Sequence, residues 1–312
     1  MKSKFIKSLL TIGILSIGVS ACNFLPNTVR NRSENNKSES INKVNPWAPV
    51  VNKANNTVTY GIYPQTVIDD QILEADLERN ASLQDDGWYL YENEYYAKVI
   101  TGSQNFDRYE YCFDNGTRFH NGETYWFKCE PIVWNVLDHT GNEYYLLSSV
   151  LLDVSIYHES ESYYYSSYIR EWLNNEFFNN AFVNHNSAVL TTPVDNSTDN
   201  SFGSQDSLDK VFLPSLADYM NPNYGFENTK EKSETRYCST TDYSRARGGL
   251  IGYYQSNSSD YNDAWHNNGF YWTRTPANSS SVYAVMATGS NIWNDPLTIK
   301  DDCVRPAIRI AL

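Results

Sequence analysis

The stretch Ser162–Phe182, SYYYSSYIREWLNNEFFNNAF, is the most strongly patterned part of the chain. A serine at position 162 or 166 is suited to begin a helix there, because its hydroxyl accepts a backbone N–H. Apolar residues recur at helical spacing and would share one face. They are Ile169, Trp172, Leu173, Phe177, Phe178 and Phe182. The pattern predicts a short amphipathic helix with a wide aromatic face, which the strands on either side would cover.

The first 21 residues have the pattern of an export signal. Three lysines precede the apolar run Ser8–Val19, which is too short to span a bilayer. Val19-Ser20-Ala21-Cys22 then resembles a bacterial lipobox, in which the leader is cut before a cysteine that becomes lipidated. An uncleaved signal anchor is the alternative, and the shortness of the apolar run argues against it. We therefore expect Cys22 to anchor the protein on the extracytoplasmic face of a bacterial envelope, in either the inner or the outer membrane.

Two further segments are predicted beyond the leader. Residues 22–56 are polar, with few large apolar side chains, and cannot bury enough surface to offset the entropy of ordering. They are predicted to form a disordered tether. Residues 57–312 contain no second linker and no internal repeat, and are predicted to form a single domain.

The charge balance limits the partners of the chain. It has 37 acidic and 24 basic residues, with a net charge of −13. Removal of the leader takes away three lysines, so residues 22–312 carry −16. Nucleic acid binding needs a basic surface, and this balance argues against it. It also argues against adsorption to anionic lipid other than through the anchor.

Short aromatic segments of alternating polarity predict the strands. One hairpin is expected over residues 87–99, with its turn at Glu92-Asn93, and another pairs 134–137 with 144–147. Residues 124–138 are predicted to form two strands divided at Pro131, because proline cannot donate to a sheet. Further strands are expected over 57–63, 143–152, 188–194, 210–213, 269–275, 281–288 and 303–312. Mixed, mostly antiparallel short strands around one or two helices give an α+β fold.

Seven short motifs follow one another along the chain: Tyr60–Gln65, Glu130–Leu137, Tyr145–Ser148, Ile169–Asn174, Asp209–Leu213, Tyr271–Arg274 and Val304–Ala307. In these motifs and their order the chain resembles a bacterial family of unknown function that is common on surface lipoproteins. The family is similar to the C-type-lectin-like fold, the class that includes formylglycine-generating enzymes. The resemblance therefore implies a C-type-lectin-like domain without an established activity. The chain departs from the family at Cys303, where glycine is usual, and at Ala81–Gly122, which resembles an insertion.

Four cysteines follow Cys22 in the sequence. An even number in an exported protein predicts two disulfides, and Cys112–Cys129 with Cys238–Cys303 is the favoured connectivity of the three. Buried free thiols are the alternative. Formylglycine-generating enzymes use two cysteines late in the fold to hold copper, and Cys238 and Cys303 could stand there, although the residues around them do not match. No C-x-x-C or H-x-x-x-H spacing points to another metal site.

Four residues near the C-terminus are candidates for ligand contact: Trp272, Arg274, Trp293 and Asp295. The tryptophans would stack on a sugar ring or belong to the core. Arg274, like Arg305, would contact a ligand or be buried beside a carboxylate. Trp293-Asn294-Asp295 resembles the triplet with which sugar-binding C-type lectins hold Ca²⁺. The second motif of those lectins is missing, so a turn before Pro296 is favoured and Ca²⁺ is a secondary expectation.

The sequence contains no nucleophile elbow, zinc-protease, phosphate-loop or dinucleotide motif. The leading hypothesis is therefore a lipid-anchored surface module that binds a ligand such as a glycan. The alternatives are an enzyme of the formylglycine-generating or hydrolytic type, and a purely structural or adhesive lipoprotein.

Overall fold

Strands dominate the structure. A computed structural model describes residues 45–101, 112–183, 185–198, 201–252, 265–291 and 293–312. Its strands are mostly antiparallel and its helices are few, so the predicted mixed α+β class is confirmed. None of the helices in these ranges combines the length and the apolar composition needed to cross a bilayer. The leader, Cys22 and most of the predicted tether lie outside the described residues.

The strands are numbered along the chain. They are β1 (Val50–Asn52), β2 (Thr57–Val67), β3 (Ser82–Leu83), β4 (Tyr89–Tyr91), β5 (Glu94–Ile100), β6 (Thr124–Thr140), β7 (Glu143–Ser148), β8 (Asp153–Val154), β9 (Thr192–Val194), β10 (Ser207–Asp209), β11 (Val211–Phe212), β12 (Tyr271–Asn278), β13 (Ser281–Val285), β14 (Trp293–Pro296), β15 (Cys303–Val304) and β16 (Ala307–Ala311). The helices are α1 (Gln71–Asn80), α2 (Tyr168–Trp172), α3 (Phe178–Phe182) and α4 (Asp242–Ala246), with a π-helix over Leu173–Phe177.

The larger sheet has nine strands organised around the 17-residue β6. Residues 127–128 of β6 pair with both β2 and β5, and Trp134 pairs with both β2 and β7. Since a strand has only two edges, β5 and β7 follow one another along the edge opposite β2. The sheet continues beyond β7 through β16 to β11, and beyond β5 through β4 to β3. Both predicted hairpins, β4–β5 and β6–β7, are confirmed.

A second sheet has five strands in the order β14-β13-β12-β15-β8. Its pairs are antiparallel except for β12 and β15, which run parallel at Tyr271 and Cys303. Strand β15 leads within two residues into β16 of the larger sheet, so residues 303–311 link the two sheets. Arg305 lies in that link.

The predicted helix is present as a continuous helical segment over 168–182. Its cap is Ser167, whose hydroxyl accepts from the Arg170 N–H at 3.3 Å, so the predicted cap at Ser162 or Ser166 is wrong. The predicted aromatic face is buried, as expected. It packs on β2, where the rings of Tyr63 and Phe177 lie 5.0 Å apart. The helix therefore covers the larger sheet with the side chains that the sequence pattern selected.

Gly61 explains how the helix approaches β2 so closely. Its φ is +77°, and a Cβ at this position would lie 2.7 Å from the Ala181 carbonyl oxygen. Only glycine combines this backbone conformation with so close a contact. The residue lies in a bulge of β2, where the pairing register with β6 shifts between Thr59 and Ile62.

The same bulge explains why Pro131 does not divide β6 into two strands. Pro131 lies opposite Ile62, immediately beyond the register shift. An irregular pairing tolerates the missing N–H of proline, which a regular ladder would not. The predicted division at Pro131 is therefore wrong, and β6 is one strand.

Residues 45–56, which fall in the predicted tether, are part of the fold. Strand β1 pairs with β2, and the Gly61 N–H donates to the Pro46 carbonyl at 2.7 Å. Trp47 stacks on His185 with ring centroids 4.9 Å apart. A three-residue strand held by one aromatic anchor leaves no periodic signal in a polar sequence. The predicted boundary at residue 57 therefore lies too late in the chain.

The predicted insertion contributes to the larger sheet. Of the residues 81–122, strands β3, β4 and β5 extend the sheet beyond β6. Helix α1 precedes them, and the sequence analysis did not predict it. Its Leu77 packs with Tyr96 of β5 and Trp126 of β6 in a small separate cluster. With only one buried residue, this helix has no apolar stripe that a periodicity search would find.

Candidate functional site

The described residues form a pocket of about 250 Å³ on the larger sheet, which we call the Arg305 pocket. Its walls come from the β1–β2 turn, from β6 and β7, and from two short turns between β11 and α4. The lining residues are Asn55, Asn56, Asn135, Val136, Leu137, Leu147, Tyr224, Gly225, Phe226, Thr235 and Arg305. With Arg305, from the link between β15 and β16, the pocket is built from six parts of the chain. Five of its lining residues carry an amide or hydroxyl group: three asparagines, one threonine and one tyrosine.

Backbone pairing fixes one wall of the pocket. Asn56 has a φ of +53°, a left-handed conformation that asparagine tolerates better than most residues. Its side-chain N–H donates to the Val136 carbonyl at 3.0 Å, and its own carbonyl accepts from the Val136 N–H at 3.0 Å. This pair of bonds holds the β1–β2 turn against β6, and places Asn55 at the edge of the pocket.

A tight turn fixes the opposite wall. The Asn221 side chain accepts from the Asn223 N–H at 3.0 Å, and Gly225 follows with a φ of +84°. The turn places the ring of Tyr224 edge-on to Tyr145, with centroids 5.4 Å apart. Thr235 comes from the next turn, where its hydroxyl accepts from the Glu227 N–H at 3.2 Å. Both walls are therefore ordered by local hydrogen bonds.

Arg305 is the cation of this pocket and is only 4% exposed. Its Nε donates to the Ser148 carbonyl at 3.0 Å, and its Nη1 donates to the Tyr271 hydroxyl at 3.3 Å. The guanidinium also lies over the Tyr271 ring, 5.5 Å from the centroid. The expected carboxylate partner is missing, because no ion pair joins Arg305 to an acid of the described residues.

Arg274, by contrast, has the carboxylate partner that the sequence analysis considered. Its Nη1 lies 2.9 Å from the Asp218 carboxylate and also donates to the Leu213 carbonyl at 3.0 Å. Its Nε and Nη2 donate to the Asp195 carbonyl. Burial is the largest single influence and lowers the pKa of Arg274, but Asp218, Tyr145 and Tyr164 together outweigh it and the pKa is raised overall. These bonds hold three segments together, which favours a structural role for Arg274.

Trp272 and Trp293 do not form one site. Trp272 is fully buried beside Tyr157, at 5.6 Å between ring centroids, and its indole donates to the Ser155 carbonyl at 2.9 Å. Trp293 lies on the edge strand β14 and is 52% exposed. Both pair with Ala284 of the intervening β13, so a whole strand separates them. Trp272 is part of the core, and only Trp293 is accessible to a ligand.

Asp295 belongs to a cluster of three aspartates, with Asp301 and Asp302. The Trp293 indole donates to Asp295 Oδ1 at 2.9 Å. Asp302 is 1% exposed; burial, with the charges of Asp295 and Asp301, raises its pKa well above the usual range. Among the described residues, one oxygen of each aspartate accepts no hydrogen bond from another type of donor group, but a protonated Asp302 can donate to Asp295. The described residues nevertheless contain no group of three or more His, Cys, Asp or Glu side chains arranged to hold a metal ion.

The structure contains neither of the favoured disulfides. Cys129, Cys238 and Cys303 are free, buried thiols. Cys112 is buried, forms a β-bridge with Arg118 and is not one of these free thiols, so it is not paired with Cys129. These three cysteines therefore match the alternative prediction of buried free thiols.

Burial also affects the reactivity of the late cysteines. It raises the pKa of Cys238 to about 11, and that of Cys303 well above its usual value. The Cys238 thiol donates to the Ser149 carbonyl, with sulfur and oxygen 3.6 Å apart. A protonated, buried thiol is a poor nucleophile and a poor metal ligand. This environment favours a packing role for both cysteines over the copper-enzyme interpretation.

The residues of the Arg305 pocket were largely missed by the sequence analysis. Asn55 and Asn56 fall in the predicted tether, and Asn135, Tyr224 and Thr235 belong to no motif with a known chemistry. Only Arg305 stood out, as a late arginine that would need a partner. The detectable signal was therefore a buried cation, while the pocket around it depends on contacts between distant segments.

Comparison with known proteins identifies the family. A family model described as a domain of unknown function (DUF6273) matches residues 141–312. These residues include β7, the turns around Tyr224 and Thr235, and Arg305. No curated protein and no solved structure shows a significant match. Since the matched region covers more than half of the chain, the protein belongs to the DUF6273 family.

Proposed function

We propose that this chain is a lipid-anchored bacterial surface protein whose folded domain binds a sugar unit of a surface glycan or polymer in the Arg305 pocket. The leader and Cys22 support the envelope location, and the polar segment after Cys22 would hold the domain away from the membrane. The observation that carries the proposal is the pocket itself, which is concave and lined by both amide and aromatic side chains.

The lining suits a polyhydroxylated ligand. The amides of Asn55 and Asn135 can each donate and accept, which matches hydroxyl groups that do the same. Tyr224 and Phe226 supply ring surface of the kind that packs on the C–H face of a sugar. A volume of about 250 Å³ suits one sugar ring better than a long segment of polymer. The domain would therefore recognise a single unit, such as a chain end or a branch.

The fold supports the proposal through a distant relationship that we also infer, to the C-type-lectin-like class. Short, mostly antiparallel strands around few helices, and the order of the motifs in the sequence, support that relationship. The calcium site of sugar-binding lectins is not part of the proposal. Its only counterpart here is Trp293-Asn294-Asp295, at the edge of the smaller sheet.

A glycan array and a peptidoglycan pull-down with the full chain in detergent would test the function. We expect binding to at least one glycan class, and Asn55→Ala should weaken it about two- to tenfold by removing one hydrogen-bonding side chain. Asn175→Ala, on the exposed face of the helical segment, is the matched control and should bind like wild type.

Two outcomes would count against the proposal. Folded protein that binds nothing in either assay would remove the glycan-binding function. Loss of binding in Trp293→Ala, with Asn55→Ala unaffected, would move the site to the exposed tryptophan of β14.

A further inference from the structure

We propose that the ligand of the Arg305 pocket carries a carboxylate, and that Arg305 is its counterion, so that the site selects an acidic sugar over a neutral one. The inference rests on the proposed function and narrows its ligand class. It starts from the charge state of one buried side chain.

Arg305 is unusual among the buried arginines of the described residues. Arg236 donates to four backbone carbonyls, those of Gly289, Tyr219, Glu227 and Glu231. Arg245 lies 2.7 Å from the Asp114 carboxylate. Arg236 therefore has acceptors for four of its five N–H donors, and Arg245 has a carboxylate counterion.

Arg305 has neither. A guanidinium has five N–H donors, and the bonds to Ser148 and Tyr271 use only two of them. Arginine remains protonated at any physiological pH, so the positive charge persists. A buried charge without a counterion is unfavourable, and one that lines a pocket can acquire its counterion from a ligand.

The composition of the pocket points in the same direction. The chain has 37 acidic residues and a net charge of −13, yet the pocket lining contains no aspartate and no glutamate. Arg305 is the only charged residue in that lining. The protein as a whole is acidic, but the single charge in this pocket is positive. The pocket is therefore suited to bind an anion.

A carboxylate fits this cation better than a phosphate does. The planar fork of a guanidinium matches the two oxygens of a carboxylate in a bidentate pair. Phosphate sites in proteins commonly draw on several cations or on a series of backbone N–H groups. The remaining lining groups are amides, hydroxyls and rings, which suit the hydroxyls and the C–H face of a sugar acid.

Isothermal titration calorimetry of the full chain, in detergent and at low salt, would test the inference. The ligands are glucuronate and glucose, which differ only in the acid group, and inorganic phosphate. We expect glucuronate to bind about tenfold or more tightly than glucose. Asn55→Asp introduces a carboxylate at the exposed edge of the pocket and should weaken glucuronate about tenfold, with little effect on glucose. Asn175→Asp, which adds the same charge on the helical segment, is the matched control. Arg305→Gln, if a thermal melt shows it folded, should abolish the preference for glucuronate.

The outcomes separate the inference from the function on which it rests. If glucose and glucuronate bound with equal affinity, and Asn55→Ala weakened the binding of both, the sugar pocket would be supported. The proposal that the ligand carries a carboxylate would be wrong. If phosphate bound more tightly than glucuronate, the anionic group of the ligand would be a phosphate and not a carboxylate. Binding of neither sugar nor phosphate would overturn the pocket as a ligand site and the inference with it.

Discussion

At the scale of single residues, two late arginines show how much the partner of a side chain matters. Arg274 and Arg305 looked equivalent in the sequence, and either could have been buried beside a carboxylate. Asp218 occupies that position for Arg274, whereas Arg305 has a carbonyl and a hydroxyl instead. The difference depends on residues about 60 and 160 positions away, so no local pattern could have revealed it.

Asp302 gives a pH-dependent prediction at the same scale. Its folded-state pKa lies well above the unfolded value, first because of burial and then because of Asp295 and Asp301. Between those two pKa values the folded state binds more protons than the unfolded state, so stability falls as pH rises through that window. Asp302→Asn removes this loss of stability, since an amide stays neutral and can donate to the Asp295 carboxylate in place of the protonated Asp302 carboxyl.

We therefore expect Asp302→Asn to raise the free energy of unfolding at pH 7 by about 1–3 kcal/mol. The gain should disappear near pH 3, where the carboxyl is protonated in both states. Urea denaturation at both pH values would measure it. Asp85→Asn, at an exposed site, is the control. A destabilised Asp302→Asn variant at pH 7 would show that the ionised cluster is stabilised by a partner.

At the scale of elements, the helical segment over 168–182 was the best predicted part of the molecule. Its apolar face could be identified because six large side chains repeat at one spacing. The π-helix over Leu173–Phe177 could not be predicted, because it shifts the hydrogen-bonding pattern without changing which side chains are buried. Helix α1 and strand β1 were missed for the opposite reason, since each buries too few residues to produce a pattern.

Trp172 tests whether this segment stabilises the core. It is 8% exposed, and its ring lies 5.7 Å from that of Phe177. Trp172→Ala leaves a cavity and should cost about 3–5 kcal/mol. Asn175→Ala, on the exposed face, should change stability by less than about 0.5 kcal/mol. Thermal melts of the two variants would compare them. If Trp172→Ala had the same melting temperature as wild type, the aromatic face would be a binding surface instead of a core face.

At the scale of the whole molecule, the sequence predicted the fold class better than the site. Alternating and helical periodicities arise within short segments, and they identified most of the strands and the main helix. The Arg305 pocket brings together Asn55 and Arg305, which lie near opposite ends of the domain's sequence. Its position depends on how β6 aligns β2 with β7, and that register was set by a bulge at Gly61 that the sequence pattern did not show.

The proposed membrane anchor also concerns the whole molecule. Cys22→Ser should prevent cleavage of the leader by a lipoprotein peptidase and remove the acyl chains. Each buried CH₂ of those chains contributes about 0.8 kcal/mol to membrane attachment. Metabolic labelling with a radioactive fatty acid should mark wild type and the Asn23→Ala control, but not Cys22→Ser. A Cys22→Ser protein that is still labelled would place the lipid on another residue.

Strand β16 has a consequence for the order in which the molecule can assemble. It lies in the interior of the larger sheet, paired with β7 on one edge and with β11 on the other, yet among the described residues it follows every other strand. If the chain is synthesised or exported from its N-terminus, the edges of β7 and β11 that pair with β16 stay unpaired until residues 307–311 emerge. Closure of the sheet around β16 is therefore a late event, and the sheet would remain incompletely paired until these residues are available.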